Sequence, residues 1–270
     1  MCSVPSETIA SLRARFRAMT GVNRRDVDVL LADVTGRSPA WLFAHGDEQI
    51  DPETLETLMA RRLRGEPLQY IRGRTEFFRR EFLVDDRVLI PRPETELLVE
   101  AAIARAQHGA RVLDIGSGSG CIAISLERER QDLDVTSIDL SVAALAVASH
   151  NARTHQSRVR FAASDVFDAI RGGFDLVVSN PPYIPFADYE RLETVVRDHE
   201  PRGALTPGLR GTEVIERILG GCRAPVVILE IGFGQLPDVR KVAAGYDAIE
   251  VINDLAGIER VVVLSRHGRK

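Results

Sequence analysis

Lysine is nearly missing from this chain: of 35 basic residues only Lys241 and Lys270 are lysines. The 39 acidic residues outweigh the basic ones, and a net charge of −4 argues against a protein whose main partner is a long stretch of nucleic acid. Cysteine is scarce as well. Cys2, Cys121 and Cys222 are odd in number and far apart, with no Cys-x-x-Cys and no paired histidine, so neither a disulfide framework nor a zinc site is supported and no metal is expected. No apolar run approaches the roughly 20 residues that span a bilayer, and Met1–Glu7 shows no basic region followed by an apolar one. A cytoplasmic protein without membrane contact is expected. Hydrophobic residues at 44% and charged residues at 27% lie near globular averages, which argues against disorder and against a coiled coil.

Residues 1–70 carry helical spacing and no convincing strand. Ile9, Leu12, Phe16 and Met19 follow the i, i+3, i+4 rule, as do Val27, Leu30, Leu31 and Val34, and then Leu55, Leu58, Met59 and Leu63. Turn residues fall between them, including Asp51-Pro52, where the aspartate can cap and the proline can open a helix. A small helical bundle over 1–70 is expected. Charge then alternates with aromatic or aliphatic residues through Glu76-Phe-Phe78 and Glu81-Phe-Leu-Val84, the pattern of a β-hairpin linker over 71–90. Seven arginines between Arg61 and Arg80 read either as a solvated face or as a contact surface for an acidic or RNA-associated partner.

From 91 to 270 strands alternate with helices. The strands expected are 112–115, 135–139, 159–162, 174–179, 226–231, 249–253 and 260–264, and a helix fits over 141–151 with Ser141 as its N-cap. Seven strands in this order imply an α/β, doubly wound sheet with its ligand at the carboxyl edge. After the first strand, Gly116-Ser-Gly-Ser-Gly120 makes a tight turn into a helix, where backbone can approach a ligand and free N–H groups can meet a carboxylate or phosphate. Its spacing is not the dinucleotide Gly-x-Gly-x-x-Gly. Asp139 closes the next strand, where it can hold two ribose hydroxyls or simply enter the following helix. Asp165 and Val166 follow the third strand, either in a plain turn or where a side chain can reach an adenine amine. The fourth strand ends in Asn180-Pro-Pro-Tyr183. The prolines cannot continue a strand and hold Asn180 and Pro181 extended, so the Asn180 side-chain oxygen and the Pro181 carbonyl can each take one hydrogen of a planar NH₂ group. The alternative is a proline-terminated strand with Asn180 as a turn residue.

Gly116–Gly120, Asp139, Asp165 and Asn180–Tyr183 in this order resemble a Rossmann-like class I S-adenosylmethionine-dependent methyltransferase. Together with Gly65-Glu-Pro-Leu-Gln-Tyr-Ile71, Leu89-Ile-Pro-Arg-Pro-Glu-Thr-Glu-Leu97, Glu200-Pro201 and Asp254-Leu-Ala-Gly-Ile-Glu-Arg-Val261 they resemble the HemK/PrmC family of release factor glutamine methyltransferases. The resemblance implies methylation of the side-chain amide of the glutamine in the Gly-Gly-Gln motif of peptide chain release factors, by a monomer with no direct nucleic-acid substrate. It implies S-adenosyl-L-methionine held by Gly116, Ser117, Gly118, Ser119, Gly120, Asp139, Asp165, Val166 and Asn180. Asn180, Pro181, Pro182 and Tyr183 are the expected catalytic and substrate-binding residues. The alternatives are an adenine-N6 nucleic-acid methyltransferase and a non-catalytic module that binds the same cofactor. The chain departs from the family pattern at Val166 and at Leu209-Arg210-Gly211.

Overall fold

Two units make up the chain in the computed structural model, which describes residues 6–266 and leaves Cys2 and Lys270 outside the described residues. The first unit runs to Gly73 and also takes in Thr194–His199, a stretch far away in sequence. It contains β1 (Glu7–Thr8), α1 (Ile9–Arg17), α2 (Arg24–Thr35), α3 (Pro39–Ala44), β2 (Gln49–Ile50), α4 (Glu53–Leu63) and α5 (Leu68–Arg72). Side chains cap three of these helices: Thr8 accepts from the Ser11 N–H, Asn23 from Arg25 and Ser38 from Trp41. Ile9, Leu12, Phe16, Val27, Leu30, Leu31, Leu55 and Met59 close into one core with Leu42 and Ile71. Met19 and Leu63 share the period but are exposed, because α1 has already ended at Arg17 and Leu63 is the last residue of α4. The expectation of no strand here is corrected by β1 and β2, which pair antiparallel over two residues each, too short to leave a periodic pattern.

The second unit holds β3 (Arg74–Phe77), β4 (Arg80–Leu83), α6 (Glu96–Arg105), β5 (Arg111–Ile115), α7 (Cys121–Glu129), β6 (Asp134–Asp139), α8 (Val142–Thr154), β7 (Arg160–Ala163) and β8 (Leu176–Ser179). Three four-residue helices follow, α9 (Phe186–Tyr189), α10 (Thr194–Arg197, in the first unit) and α11 (Arg202–Leu205). The chain ends with α12 (Glu213–Gly221), β9 (Val226–Glu230), α13 (Leu236–Val242), β10 (Ala248–Asn253) and β11 (Glu259–Ser265).

Seven strands form one sheet in the order β10-β11-β9-β8-β5-β6-β7, with β11 antiparallel to both of its neighbours and the ladders from β9 to β7 parallel. Alternate residues feed opposite faces. Val112, Val178 and Ile228 meet Leu98, Ile122 and Leu126 on one side, while Leu113, Val177 and Leu229 meet Ile215, Ile218 and Val239 on the other. Both faces are therefore covered, which is why the central strands read as continuous apolar runs.

The hairpin, read from the sequence as a linker over 71–90, is Arg74–Leu83 and belongs to the core of the second unit. Phe77 and Phe82 are fully buried against the sheet cluster. Its two turn residues, Phe78 and Arg79, both have positive φ, the geometry usually supplied by Asn-Gly. Burial of the Phe78 ring and a 2.8 Å bond from its N–H to Glu96 Oε1 compensate the strain. Six of the seven arginines between 61 and 80 are paired within their own units: Arg61 with Glu66, Arg62 with Asp26, Arg72 with Asp33, Arg74 with Glu81, and Arg79 and Arg80 with Glu129.

Candidate active site

A cavity of about 440 Å³ opens where β5, β6 and β8 end. This is the place where the strand order reverses, since the chain leaves β5 toward β7 and returns to β8 on the other side. The loop from Gly116 to Ser119 lines it, and Gly120 does not. The glycines differ in what they are for. A Cβ on Gly118 would meet no protein atom within 4 Å, so its bare face is turned to space a ligand can use. A Cβ on Gly120 would strike Ile124 Cδ1 at 2.9 Å and Ala148 at 3.2 Å, so that glycine lets α7 and α8 approach.

Asp139 is held by the backbone at both oxygens, Oδ2 accepting from the Gly118 N–H at 2.9 Å and Oδ1 from Ser141 at 2.8 Å. A carboxylate has about four acceptor positions, so two remain for hydroxyl donors in the cavity. Asp165 also lines the cavity, but its Oδ1 lies 2.8 Å from Arg217, a partner the sequence did not suggest. Val166 is 7% exposed with φ +51°, uncommon for a β-branched residue, and Ser164 Oγ donates to its carbonyl at 3.0 Å. The open glycine face, the start of α7 and the Asp139 acceptors together fit a cofactor with a ribose and a charged amino-acid tail.

Beneath the loop lies a hydrogen-bonded chain. Ser117 Oγ and Ser137 Oγ are 2.6 Å apart, and Ser137 donates to Asp114 Oδ2 at 2.6 Å, while Asp114 Oδ1 has no partner among the described residues. Burial pushes Asp114 up to about 7, with the nearby Asp139 charge adding to the effect. Burial pushes Glu230 up to about 7 as well. Both groups therefore bind a proton more tightly folded than unfolded. Their contribution to stability is complete below the ordinary carboxylate range and is lost as pH rises through about 7. Melting temperature is expected to fall between pH 5 and 8, each group accounting for a few kcal/mol at roughly 1.4 kcal/mol per pKa unit. Asp114→Asn should make thermal unfolding curves visibly less pH-dependent across that range; an unchanged slope would mean that Asp114 does not titrate there.

Asn180 follows β8 directly. Its Nδ2 donates to Thr95 Oγ1 at 3.1 Å, and Thr95 in turn donates to Glu230 Oε2 at 2.6 Å. Nothing among the described residues donates to Asn180 Oδ1 or to the Pro181 carbonyl, which leaves both as acceptors. Asn180 and Pro182 line the cavity, whereas Pro181 is buried and Tyr183 does not line it. Tyr183 turns its hydroxyl to Glu230 Oε1 at 3.5 Å, and burial pushes the phenol up to about 12. The main chain of Tyr183 is pinned from the other side, where Gln235 Nε2 donates to its carbonyl at 2.8 Å and a Cβ on Gly211 would sit 2.5 Å from that oxygen.

The profile of the Methyltransferase small domain matches residues 93–198, and that of the PrmC N-terminal domain matches residues 7–73. A release factor glutamine methyltransferase of Koribacter versatilis is 38% identical over 97% of this chain and 96% of its own length. The chain belongs to the release factor glutamine methyltransferase family. A second member, from Bordetella pertussis, is 42% identical over 89% of this chain and 94% of its own. Among solved structures, the E. cuniculi Mtq2–Trm112 complex, described as responsible for methylation of the eRF1 translation termination factor, aligns with a TM-score of 0.51 at 23% identity. That alignment spans 67% of this chain and 99% of the other, and it speaks for the fold.

Several of the segments that carry the resemblance acquire physical reasons here. Ile90-Pro-Arg-Pro-Glu-Thr-Glu96 brings Thr95 to Asn180, the Glu96 carboxylate to the hairpin turn, and Arg92 to the buried Glu200 at 2.5 Å. Glu200 also accepts from the Ile90 N–H at 3.2 Å, so two distant motifs lock each other. Asp254 accepts from the N–H groups of Ala256 and Ile258 and pairs with Arg260 at 3.1 Å, shaping the turn that starts β11. At the departure Leu209-Arg210-Gly211, Arg210 reaches Glu216 at 2.7 Å and its own N–H bonds Glu213 Oε1 at 2.8 Å, so this loop has its own tie. Thr95, Glu230 and Gln235 were not singled out as site residues from the sequence. The only available signal was the position of Thr95 inside a family motif.

Proposed function

We propose that the protein methylates the side-chain amide nitrogen of a glutamine in a peptide chain release factor, using S-adenosyl-L-methionine, as a cytoplasmic monomer. The observation that carries this reading is the unpartnered acceptor Asn180 Oδ1, on a residue that lines the cavity built from the glycine loop and Asp139, with the Pro181 carbonyl next in the chain also unpartnered among the described residues. S-adenosyl-L-methionine, when bound, supplies an electrophilic methyl group. The amide nitrogen is a poor nucleophile because its lone pair is delocalised into the carbonyl, so position must make up for reactivity. Asn180 and Pro181 can each take one hydrogen of the glutamine NH₂ and hold its nitrogen toward the methyl, and fixing both reactants is worth up to roughly 7–11 kcal/mol. The same acceptors favour the positive charge that grows on nitrogen during attack. The nitrogen gains the methyl as the methyl–sulfur bond breaks, with the sulfur keeping the bonding pair, and its extra proton passes to water. The helical unit would supply a second recognition surface that distinguishes one glutamine in a folded protein from others.

An adenine N6 amine offers the same two hydrogens, and the alternative is separated by charge. The net charge is −4 and six of the seven clustered arginines are already paired, which favours a protein substrate. Incubation with methyl-labelled cofactor, a purified release factor and, separately, total RNA or DNA tests the reading. Label confined to one glutamine by mass spectrometry is expected; label on nucleic acid alone would overturn it.

A further inference from the structure

An asparagine side chain has a donor end and an acceptor end of nearly equal shape, and only one of the two suits an NH₂ substrate. Turned over, Asn180 would aim its own N–H groups at those of the glutamine. Something must decide between the two orientations. We propose that Thr95 and Glu230 are positioning residues that hold the Asn180 amide with its carbonyl oxygen toward the substrate. This rests on the reading of Asn180 as the acceptor for the substrate amide.

The argument is one of donor counting. Glu230 is 1% exposed and Thr95 is 2% exposed, so neither can turn to water for a partner. A carboxylate only accepts, so the Thr95 hydroxyl spends its single proton on Glu230 Oε2 at 2.6 Å. The oxygen of Thr95 is then purely an acceptor toward Asn180, and the nitrogen end of the amide must face it, as the 3.1 Å contact has it. The acceptor end is thereby aimed away from Thr95 and kept free. Glu230 is held in turn by the Tyr183 hydroxyl at Oε1, 3.5 Å away, so the same carboxylate meets Tyr183 directly and Asn180 through Thr95.

The state of Glu230 sets the direction of the chain. Burial and the Glu94 carboxylate favour its protonated form, while Thr95, the Arg260 guanidinium and the Tyr183 hydroxyl favour the charged one. A protonated Glu230 can donate to Thr95, which then has a proton to offer Asn180, and the oxygen end is drawn the wrong way. Methyl transfer at saturating cofactor and substrate should therefore weaken as pH falls through about 7. Asp114 titrates in the same range, so the profile of a Glu230 variant decides the matter.

The experiment uses the full chain with a purified release factor. Thr95→Val removes the hydroxyl but keeps the shape, and should lower kcat on the order of tenfold or more, with cofactor affinity kept within a few-fold. Thr95→Ser should retain most of kcat. Glu230→Gln, which still offers an oxygen to Thr95 but does not titrate, should flatten the acid limb of the kcat profile. In an Asn180→Ala background Thr95→Val should cost nothing further, because its effect passes through Asn180. Wild-type kcat in Thr95→Val beside an inactive Asn180→Ala would overturn the relay alone. So would a Thr95→Ser variant as impaired as Thr95→Val, an acid limb unchanged in Glu230→Gln, or full additivity with Asn180→Ala. Full activity of Asn180→Ala would overturn the reading of Asn180 and the relay with it.

Discussion

Asn180→Ala is expected to lower the methylation rate by roughly a hundredfold or more, the scale seen when one preorganised polar contact to a transition state is removed. Cofactor affinity should stay within a few-fold. The physical reason is that Asn180 sits at the mouth side of β8 with one end of its amide spent on Thr95 at 3.1 Å and the other free. Alanine removes the free acceptor and leaves the Pro181 carbonyl to hold the glutamine NH₂ alone, so the nitrogen can swing off line. Nothing else in the strand end should move. Ser179 remains tied to the Ile115 carbonyl at 2.6 Å and the Tyr183 carbonyl to Gln235 at 2.8 Å. Single-turnover rates with saturating cofactor, set beside calorimetric dissociation constants, separate the two quantities. If rate and binding fell together, Asn180 would be a cofactor contact and its proposed role would be wrong.

Asp139→Ala should act on the cofactor instead. A charge-assisted hydrogen bond is worth about 1.5–3 kcal/mol, or roughly one to two decades in a dissociation constant. The upper end is expected here, because Asp139 also accepts from the Gly118 and Ser141 N–H groups and so holds the loop that lines the cavity. Removing it costs the hydroxyl contacts and frees the loop at once. Asp139→Asn keeps one oxygen and should lose less. In both variants the rate at saturating cofactor should remain close to that of the parent, since neither acceptor of the substrate amide is touched. A calorimetric constant unchanged from the parent would move the ribose partner to another residue.

What could be read in the chain was whatever the backbone states locally. Seven strands appear within two residues of the expected limits, because the central ones are short apolar runs covered on both faces and all are bounded by turn residues. The positions of the glycine loop, Asp139 and Asn180 were legible for the same reason: each lies at a strand end or directly after one, and the doubly wound order brings those ends to one cavity. Closure of the chain was not legible. Thr95 reaches Asn180 across 85 residues and Glu230 across 135, and no periodicity records such a meeting. Asp165 was expected to face a ligand and also pairs with Arg217. The hairpin turned without glycine at Phe78-Arg79, since burial of the Phe78 ring and the bond from its N–H to Glu96 compensate a backbone that both residue types disfavour. Residues 194–199 joined the helical unit from more than a hundred residues away. Local pattern encodes which face of an element is apolar and where it must stop; which distant side chain satisfies a buried donor depends on where packing brings the elements, and only the tertiary structure decided that.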